Sequence, residues 1–339
     1  MLEPHQSLYV NRTGLVPIGR SVMGRHRPLT SVLTGAVLAT GMLSASAAGE
    51  SLAPPWAYPV SDANAPHLPD DGAIKHVPGS AQGFTQQQIG DWFPDEHPAM
   101  PDIVAKGRRP SVQACDICHL PTGQGHPESA YLTGEPAEYF FQQVKDYQSG
   151  KRRSIVPERS ASMERISTAM TDDEIKFAAA YYASLRPTPW VTVKESDTVP
   201  VTYLAALNMR FVKPGGGSEP LGQRIIEFPE DTERAYLRDP HSPFIAYVPP
   251  GSVEKGNALA AGGQGKTVAC GGCHGADLRG KDAGPPIAGL HPIYIFRQLL
   301  DMQQGARNGD GAQSMKPAVM RLSEDDMLNI SAYVAAQKP

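Results

Sequence analysis

Two stretches of the chain, Thr133–Arg153 and Ala288–Asn308, set their apolar residues at helical spacing. Tyr139, Val144 and Tyr147 share a face with Gln143 in the first, and Tyr294, Leu299 and Met302 share one with Gln298 in the second. Gly150 and Gly305 then stand where a helix needs a left-handed stop, so each stretch predicts a helix of about three turns. Further on, Thr171 with Glu174 and Ser323 with Asp326 precede the apolar sets Ile175, Ala178, Tyr181, Tyr182 and Met327, Ile330, Tyr333, Val334. A hydroxyl and an acid three residues apart form a capping box, in which each side chain bonds the other's backbone N–H, and this predicts a second helix in both regions.

The two regions are copies of one unit. At an offset of 155 the first pair of stretches aligns without a gap, sharing Gly134/Gly289, Tyr139/Tyr294, Phe141/Phe296, Gln143/Gln298, Asp146/Asp301, Gln148/Gln303, Gly150/Gly305 and Arg152/Arg307. At the closing helices the offset is 152, so the loop between has lost three residues. Residues 188–250, between the copies, change to β-type runs, "WVTVKES", "YLAALNMRFV", "RIIEFP" and "FIAYVPP", punctuated by Pro and by Gly215–Gly217. They predict a linker with short strands packed on one or both copies. Residues 48–100 are Pro-rich and show only one candidate turn of helix, "TQQQIGDWF", which predicts an irregular wrapping arm.

The chain begins with Arg20, Arg25 and Arg27 ahead of the apolar Leu29–Leu43, then small residues including "ASA", Ala45–Ala47. This weakly apolar run of fifteen residues falls short of the roughly 20 that span a bilayer, so residues 1–47 are expected to be a cleaved export signal, with a retained anchor as the alternative. The expected location is the periplasm, with room for peripheral membrane association. Removing 1–47 takes out four Arg and one Glu and moves the formal charge from −4 to −7. All of that excess lies in residues 48–105, where eight acids face Lys75 alone. Such a balance excludes a nucleic-acid partner, which needs a basic footprint. The acids could steer a basic partner, or simply keep a Pro-rich segment in solution.

Every cysteine lies in "ACDICHLP", Ala114–Pro121, or "ACGGCHGA", Ala269–Ala276. Two thiols two residues apart can add to the two vinyl groups of one haem while the adjacent His binds iron, which is the c-type attachment pattern. The pattern assigns Cys115, Cys118 and His119 to one covalent haem c, and Cys270, Cys273 and His274 to a second. A four-cysteine zinc site explains neither histidine and would draw one CxxC pair from each copy. Disulfides or a thioredoxin-like site also leave the histidines unused. For the sixth iron ligand, His126 and His291 do not recur in the repeat, whereas Met163 matches Met315 at the 152 offset; Met170 and Met320 have no methionine counterparts.

CxxCH, a Tyr-bearing helix ending in Gly, Met seven residues before "LSEDD", Leu322–Asp326, and a closing "SAYVAAQ", Ser331–Gln337, together resemble the class I cytochrome c fold in tandem, similar to the dihaem cytochrome c4 family. The likeness covers residues 101–187 and 251–339 and is strongest in the second copy, where "GPPIAGL", Gly284–Leu290, also fits. The expected fold is mainly α, with an arm at 48–100, cytochrome c domains at 101–187 and 251–339, and a long linker with some strand at 188–250. The resemblance implies that Pro285 accepts the His274 Nδ–H bond, with Ala130 at that place in the first copy. With Met163 and Met315 completing both irons, the expected function is single-electron transfer between redox-partner proteins, a dehydrogenase donor and an oxidase or cytochrome acceptor. A haem subunit bound to a dehydrogenase or oxidase would do the same work. The rival is a dihaem enzyme, a peroxidase or sulfur-compound oxidoreductase, with one open or labile haem. Arg152 and Arg307 recur after the helix-ending glycines, either as partners of haem propionates or as exposed side chains.

Overall fold

The computed structural model describes residues 53–339 save 63, 67–69, 89, 282 and 283; the expected export signal lies outside the described residues. The first copy comprises α1 (Asp102–Ala105), α2 (Asp116–His119), α3 (Ala137–Gln148), α4 (Ala161–Ala169) and α5 (Asp172–Ser184). The insert follows with β1 (Val191–Glu195), β2 (Thr198–Pro200), β3 (Thr202–Leu204), β4 (Arg210–Val212), β5 (Ser218–Pro220), β6 (Ile226–Pro229), α6 (Thr232–Tyr236) and β7 (Phe244–Val248). The second copy comprises α7 (Ser252–Gly262), α8 (Gly271–His274), α9 (Pro292–Gln303), α10 (Asp310–Ser314), α11 (Lys316–Val319) and α12 (Glu324–Ala335). Among the described residues no helix is long and apolar enough to cross a membrane.

The expected helices form for the expected reasons. Behind α3 and α9, Gly150 and Gly305 take φ of 75° and 78°, a left-handed stop that a side chain would strain. Both capping boxes are complete: Glu174 N–H donates to Thr171 Oγ1 at 3.3 Å and Asp326 N–H to Ser323 Oγ at 3.2 Å, while each acid accepts from the cap's own N–H. A cap of this kind is worth about 1 kcal/mol.

Each copy has its own core. Ile103, Val104, Phe140, Val144, Ile175 and Tyr182 fill the first; Leu259, Phe296, Leu299, Val319, Met327 and Leu328 fill the second, which also takes Ala57 and Tyr58 of the arm. The first helices differ: α1 is one turn, whereas α7 runs 11 residues and crosses α12 at Gly256. A Cβ there would lie 1.9 Å from Asn329 O, so only glycine allows the crossing.

In the insert, β1 pairs parallel to β7 (Val191↔Phe244 to Glu195↔Val248), and β6 antiparallel to it (Ile226↔Tyr247 to Pro229↔Phe244). Two small antiparallel ladders, β2–β5 and β3–β4, stand beside this sheet. "YLAALNMRFV" breaks into β3 and β4 because Leu207 and Asn208 turn left-handed, φ 61° each. The candidate helical turn in "TQQQIGDWF" is instead a β-type turn, closed by Gln88 N–H to Thr85 O at 3.0 Å and pinned by Thr85 Oγ1 on Gln88 Oε1 at 3.0 Å, a local side-chain bond that competes with helix. Residues of the segment before α1 reach across the fold: Trp92 Nε1 donates to Leu237 O at 2.6 Å, and Tyr58 OH to Asp301 Oδ1 at 3.1 Å.

Candidate haem-attachment sites

In each copy one turn of helix carries the whole pattern. His119 N–H donates to Cys115 O at 2.9 Å and His274 N–H to Cys270 O at 3.0 Å, so both thiols and the imidazole project from a single turn. Each histidine is buried, and its Nδ1 meets a backbone carbonyl: Ala130 O at 2.9 Å for His119, and Pro285 O at 2.8 Å for His274. A carbonyl only accepts, so the proton sits on Nδ1 and Nε2 keeps its lone pair for a metal. Burial lowers both imidazole pKa values and favours the neutral ring. The replacement of proline by Ala130 in the first copy thus leaves the bond intact.

The four thiols are free. Burial pushes Cys115 up to about 12 and raises Cys118 and Cys270 as well, which favours the protonated thiol. Among the described residues no group of three or more His, Cys, Asp or Glu is assembled to hold a metal ion. Two thiols and one imidazole on a turn, in both domains, fit a covalently attached haem.

After each histidine the chain steps left-handed, at Leu120 (φ 65°, ψ 155°) and at Gly275 (φ 85°, ψ 152°). This region is nearly reserved for glycine and costs another residue about 1–3 kcal/mol. Leu120 holds it while buried against Tyr131, Trp190 and Phe244, two of which belong to the insert.

The candidate methionines sit in matched surroundings. Gln148 Nε2 donates to Ser167 O and Met170 O at 2.9 and 3.0 Å; Gln303 Nε2 donates to Val319 O and Leu322 O at 2.7 and 2.8 Å. Ser167 and Val319, and Met170 and Leu322, are 152 residues apart, as are Met163 and Met315, which stand four positions before Ser167 and Val319. The two glutamine hydrogen-bond sets therefore match at the 152 offset. Met163 is half-buried in α4; Met315, half-buried between α10 and α11, packs on the core that also takes Cys270. Met163 does not join the core that takes Cys115. Met170 is buried in the first core and Met320 is 67% exposed. Both non-recurring histidines are engaged elsewhere: His126 Nδ1 lies 3.1 Å from Ser129 Oγ, with burial lowering its pKa to about 3, and His291 Nδ1 lies 2.5 Å from Glu227 Oε1 of the insert.

Arg152 and Arg307 are not exposed; both are buried where the copies meet. Their backbones form an antiparallel bridge, with Arg153 N–H on Ala306 O at 2.8 Å and Asn308 N–H on Lys151 O at 2.7 Å. Arg152 Nη2 donates to Tyr294 OH at 3.0 Å and Arg307 Nη2 to Tyr139 OH at 2.7 Å, a reciprocal exchange about a pseudo-twofold axis. Gln143 Oε1 and Gln298 Oε1 accept from both arginines. Two buried cations thus rest on neutral acceptors, and Arg307 Nε has no hydrogen-bond partner among the described residues. Glu135 is a weak counter-ion, because burial pushes its carboxyl up to about 7 against the pull of both arginines. A buried anion would complement this pair of cations.

Two helical copies, each with a CxxCH turn, a carbonyl-anchored histidine and a capped closing helix, define a protein with two class I cytochrome c domains. The family model for cytochrome c matches residues 253–338. The cytochrome c4 of Stutzerimonas stutzeri is 37% identical over 240 residues, 68% of this chain and 87% of that protein. The thiosulfate dehydrogenase electron acceptor of Thiomonas intermedia is 23% identical over 231 residues, 67% of this chain and 80% of that protein. The crystal structure of reduced recombinant cytochrome c4 from Pseudomonas stutzeri aligns with TM-score 0.43 at 19% identity, covering 66% of this chain and 93% of that one. The chain belongs to the cytochrome c4 family, electron-transfer proteins that carry covalent haem c.

Proposed function

We propose that this protein is a periplasmic dihaem cytochrome that passes single electrons between redox-partner proteins through two His/Met-ligated irons. The observation that carries the reading is the pair of matching turns in which Nδ1 is tied to a carbonyl and Nε2 is left free. When bound, each haem supplies an iron that changes oxidation state by one electron. Cys115 and Cys118, and Cys270 and Cys273, would hold the two rings. His119 and His274 would give Nε2 to iron, with the carbonyls of Ala130 and Pro285 fixing each imidazole plane and raising its basicity. Met163 and Met315 would supply the sixth ligands and close both irons to outside ligands. Arg152 and Arg307 would neutralise the ring carboxylates at the junction of the copies.

An enzyme with one open haem would need unlike distal segments, and the matched hydrogen bonds of Gln148 and Gln303 argue for like ones. The relative named as an electron acceptor of thiosulfate dehydrogenase fits a carrier fed by a sulfur-compound dehydrogenase. The test is the mass of the denatured protein, expected to exceed the polypeptide by two haems, and by one after Cys270→Ser with Cys273→Ser. A native mass with a single haem overturns the reading.

A further inference from the structure

Gln148 and Gln303 are the last residues of α3 and α9. Each turns its side-chain amide onto the segment that carries a candidate methionine, Gln148 to Ser167 O and Met170 O, and Gln303 to Val319 O and Leu322 O. Carbonyls only accept, so the NH2 end of each amide faces them and both of its protons are used. All four acceptors belong to buried residues, with Ser167 and Val319 wholly enclosed, so no solvent stands in for the amide if it is removed.

The bonded carbonyls bracket a short piece of chain. The first stands one helical turn beyond the methionine: Val319 N–H donates to Met315 O at 3.1 Å, and Ser167 lies four residues after Met163 within α4. The second stands directly before the capping residue of the closing helix, Thr171 or Ser323. One amide therefore fastens the end of a core helix both to the turn that carries the methionine and to the start of the closing helix. A residue that fixes a ligand's own support decides how well the ligand is held.

The two segments differ in how far they support themselves. In the first copy α4 is an unbroken helix of 9 residues, and Glu164, beside Met163, accepts from Ser160 Oγ at 2.6 Å and pairs with Arg153. In the second, Met315 stands between α10 and α11, of 5 and 4 residues, and Pro317 gives α11 no backbone N–H at that position. The second segment depends more on its glutamine.

We propose that Gln148 and Gln303 are positioning residues for the sixth ligands: each amide holds the turn that carries Met163 or Met315 and so governs how readily that methionine yields to another ligand, Gln303 more than Gln148. This rests on the His/Met reading above. The exchange is a substitution in which the methionine sulfur leaves with its own electron pair and the incoming donor brings one, with no electron or proton transferred.

The test uses the full holoprotein, oxidised, with imidazole as the entering ligand and the methyl NMR signals of Met163 and Met315 to tell the two sites apart. Gln303→Leu is expected to speed imidazole binding in the second copy about tenfold or more, as the loss of two ordinary hydrogen bonds gives, and to leave the first copy within about twofold. Gln148→Leu is expected to act on the first copy alone, by about threefold. Gln303→Lys, whose ammonium still donates, should restore the native rate, whereas Gln303→Glu, which only accepts, should not. Gln303→Asn, too short to reach both carbonyls, is the milder variant and should fall between Gln303→Leu and the native protein. Leu259→Ala, a truncation of the second core in α7, controls for stability: it should lower the unfolding midpoint yet keep imidazole binding within about twofold. Native-like binding in Gln303→Leu, equal acceleration by Leu259→Ala, or rescue by Glu as well as Lys overturns the proposal. A native oxidised protein without the sulfur-to-iron absorption band defeats the His/Met reading itself. A native protein that has the band, with glutamine variants that bind imidazole at the native rate, defeats the positioning role alone.

Discussion

Replacing Gly256 by Ala tests how the second copy holds its attachment turn. The new Cβ would stand 1.9 Å from Asn329 O, 2.6 Å from its carbonyl carbon and 2.7 Å from Tyr333 Cβ, where ordinary contact begins at 3.4 Å. Helices α7 and α12 would have to part by about 1.5 Å, and because the obstacle is backbone no side-chain rotation relieves it. Overpacking of this kind costs about 1–3 kcal/mol, and a backbone clash lies at the upper end. The helix preference of Ala over Gly returns about 0.5–1 kcal/mol, so the expected loss is about 2 kcal/mol. The strain also reaches the site, since Cys270 N–H donates to Ala260 O of the displaced helix at 2.9 Å. Guanidinium unfolding followed by haem absorbance measures the effect, with Gly262→Ala as the reference, because nothing lies within 4 Å of a Cβ there. The reference is expected to match or exceed the native midpoint, and Gly256→Ala to fall well below it. Equal midpoints for the two variants would refute the close crossing.

Met163→Ala should let carbon monoxide bind the reduced haem of the first copy alone, and Met315→Ala that of the second, while the native protein binds none; rapid binding to the native protein speaks for an open iron. Glu174 is held at about 2, well below its ordinary value, by its bond to Arg108 and its place in the capping box. Its contribution is therefore complete above pH 4.5 and is lost as pH falls towards 2. In denaturant titrations the gap between native and Glu174→Gln should accordingly shrink over that range; a constant gap would contradict it. Arg307→Gln and Tyr139→Phe, combined in a double-mutant cycle, should couple by about 0.5–3 kcal/mol as direct partners do, whereas additive losses mean the exchange across the copies is not formed.

What the sequence disclosed was local. Capping boxes, glycine stops and β-branched runs act within a few residues of themselves, and they form where expected. Arg152 and Arg307 show the limit. Each follows a helix-ending glycine, a place that is usually exposed, but their partners Tyr294 and Tyr139 lie 142 and 168 residues away. The joint recurrence of Tyr, Gln and Arg in both copies was the available signal, because three polar residues kept in register serve a shared contact more readily than a solvent face. Leu120 was concealed differently: nothing about a leucine announces a left-handed backbone, yet Gly275 stands at its repeat position and carries the same geometry. The contacts of the arm and insert with the first copy had no such signal, since the arm and insert have no second copy for comparison.

The arm's charge changes meaning once its contacts are known. Of the eight acids in residues 48–105, Asp71 pairs with Lys75, Asp91 with His97, Glu96 with His241 and Asp102 with Lys106. Asp91 raises the His97 pKa through their hydrogen bond. A histidine raised in this way adds its full stabilisation below its ordinary value of 6.5 and loses it as pH climbs through the raised one. Acids that fasten an arm are partly neutralised by the bases they fasten to, and they project less field than their number implies. Among the described residues Asp62, Asp70 and Asp95 make no ion pair, and Asp70 accepts from Gln87 Nε2. The composition of this segment shows how many charges it has; the packing of Trp92 and His97 shows that part of that charge fastens the arm to the insert and to the first domain.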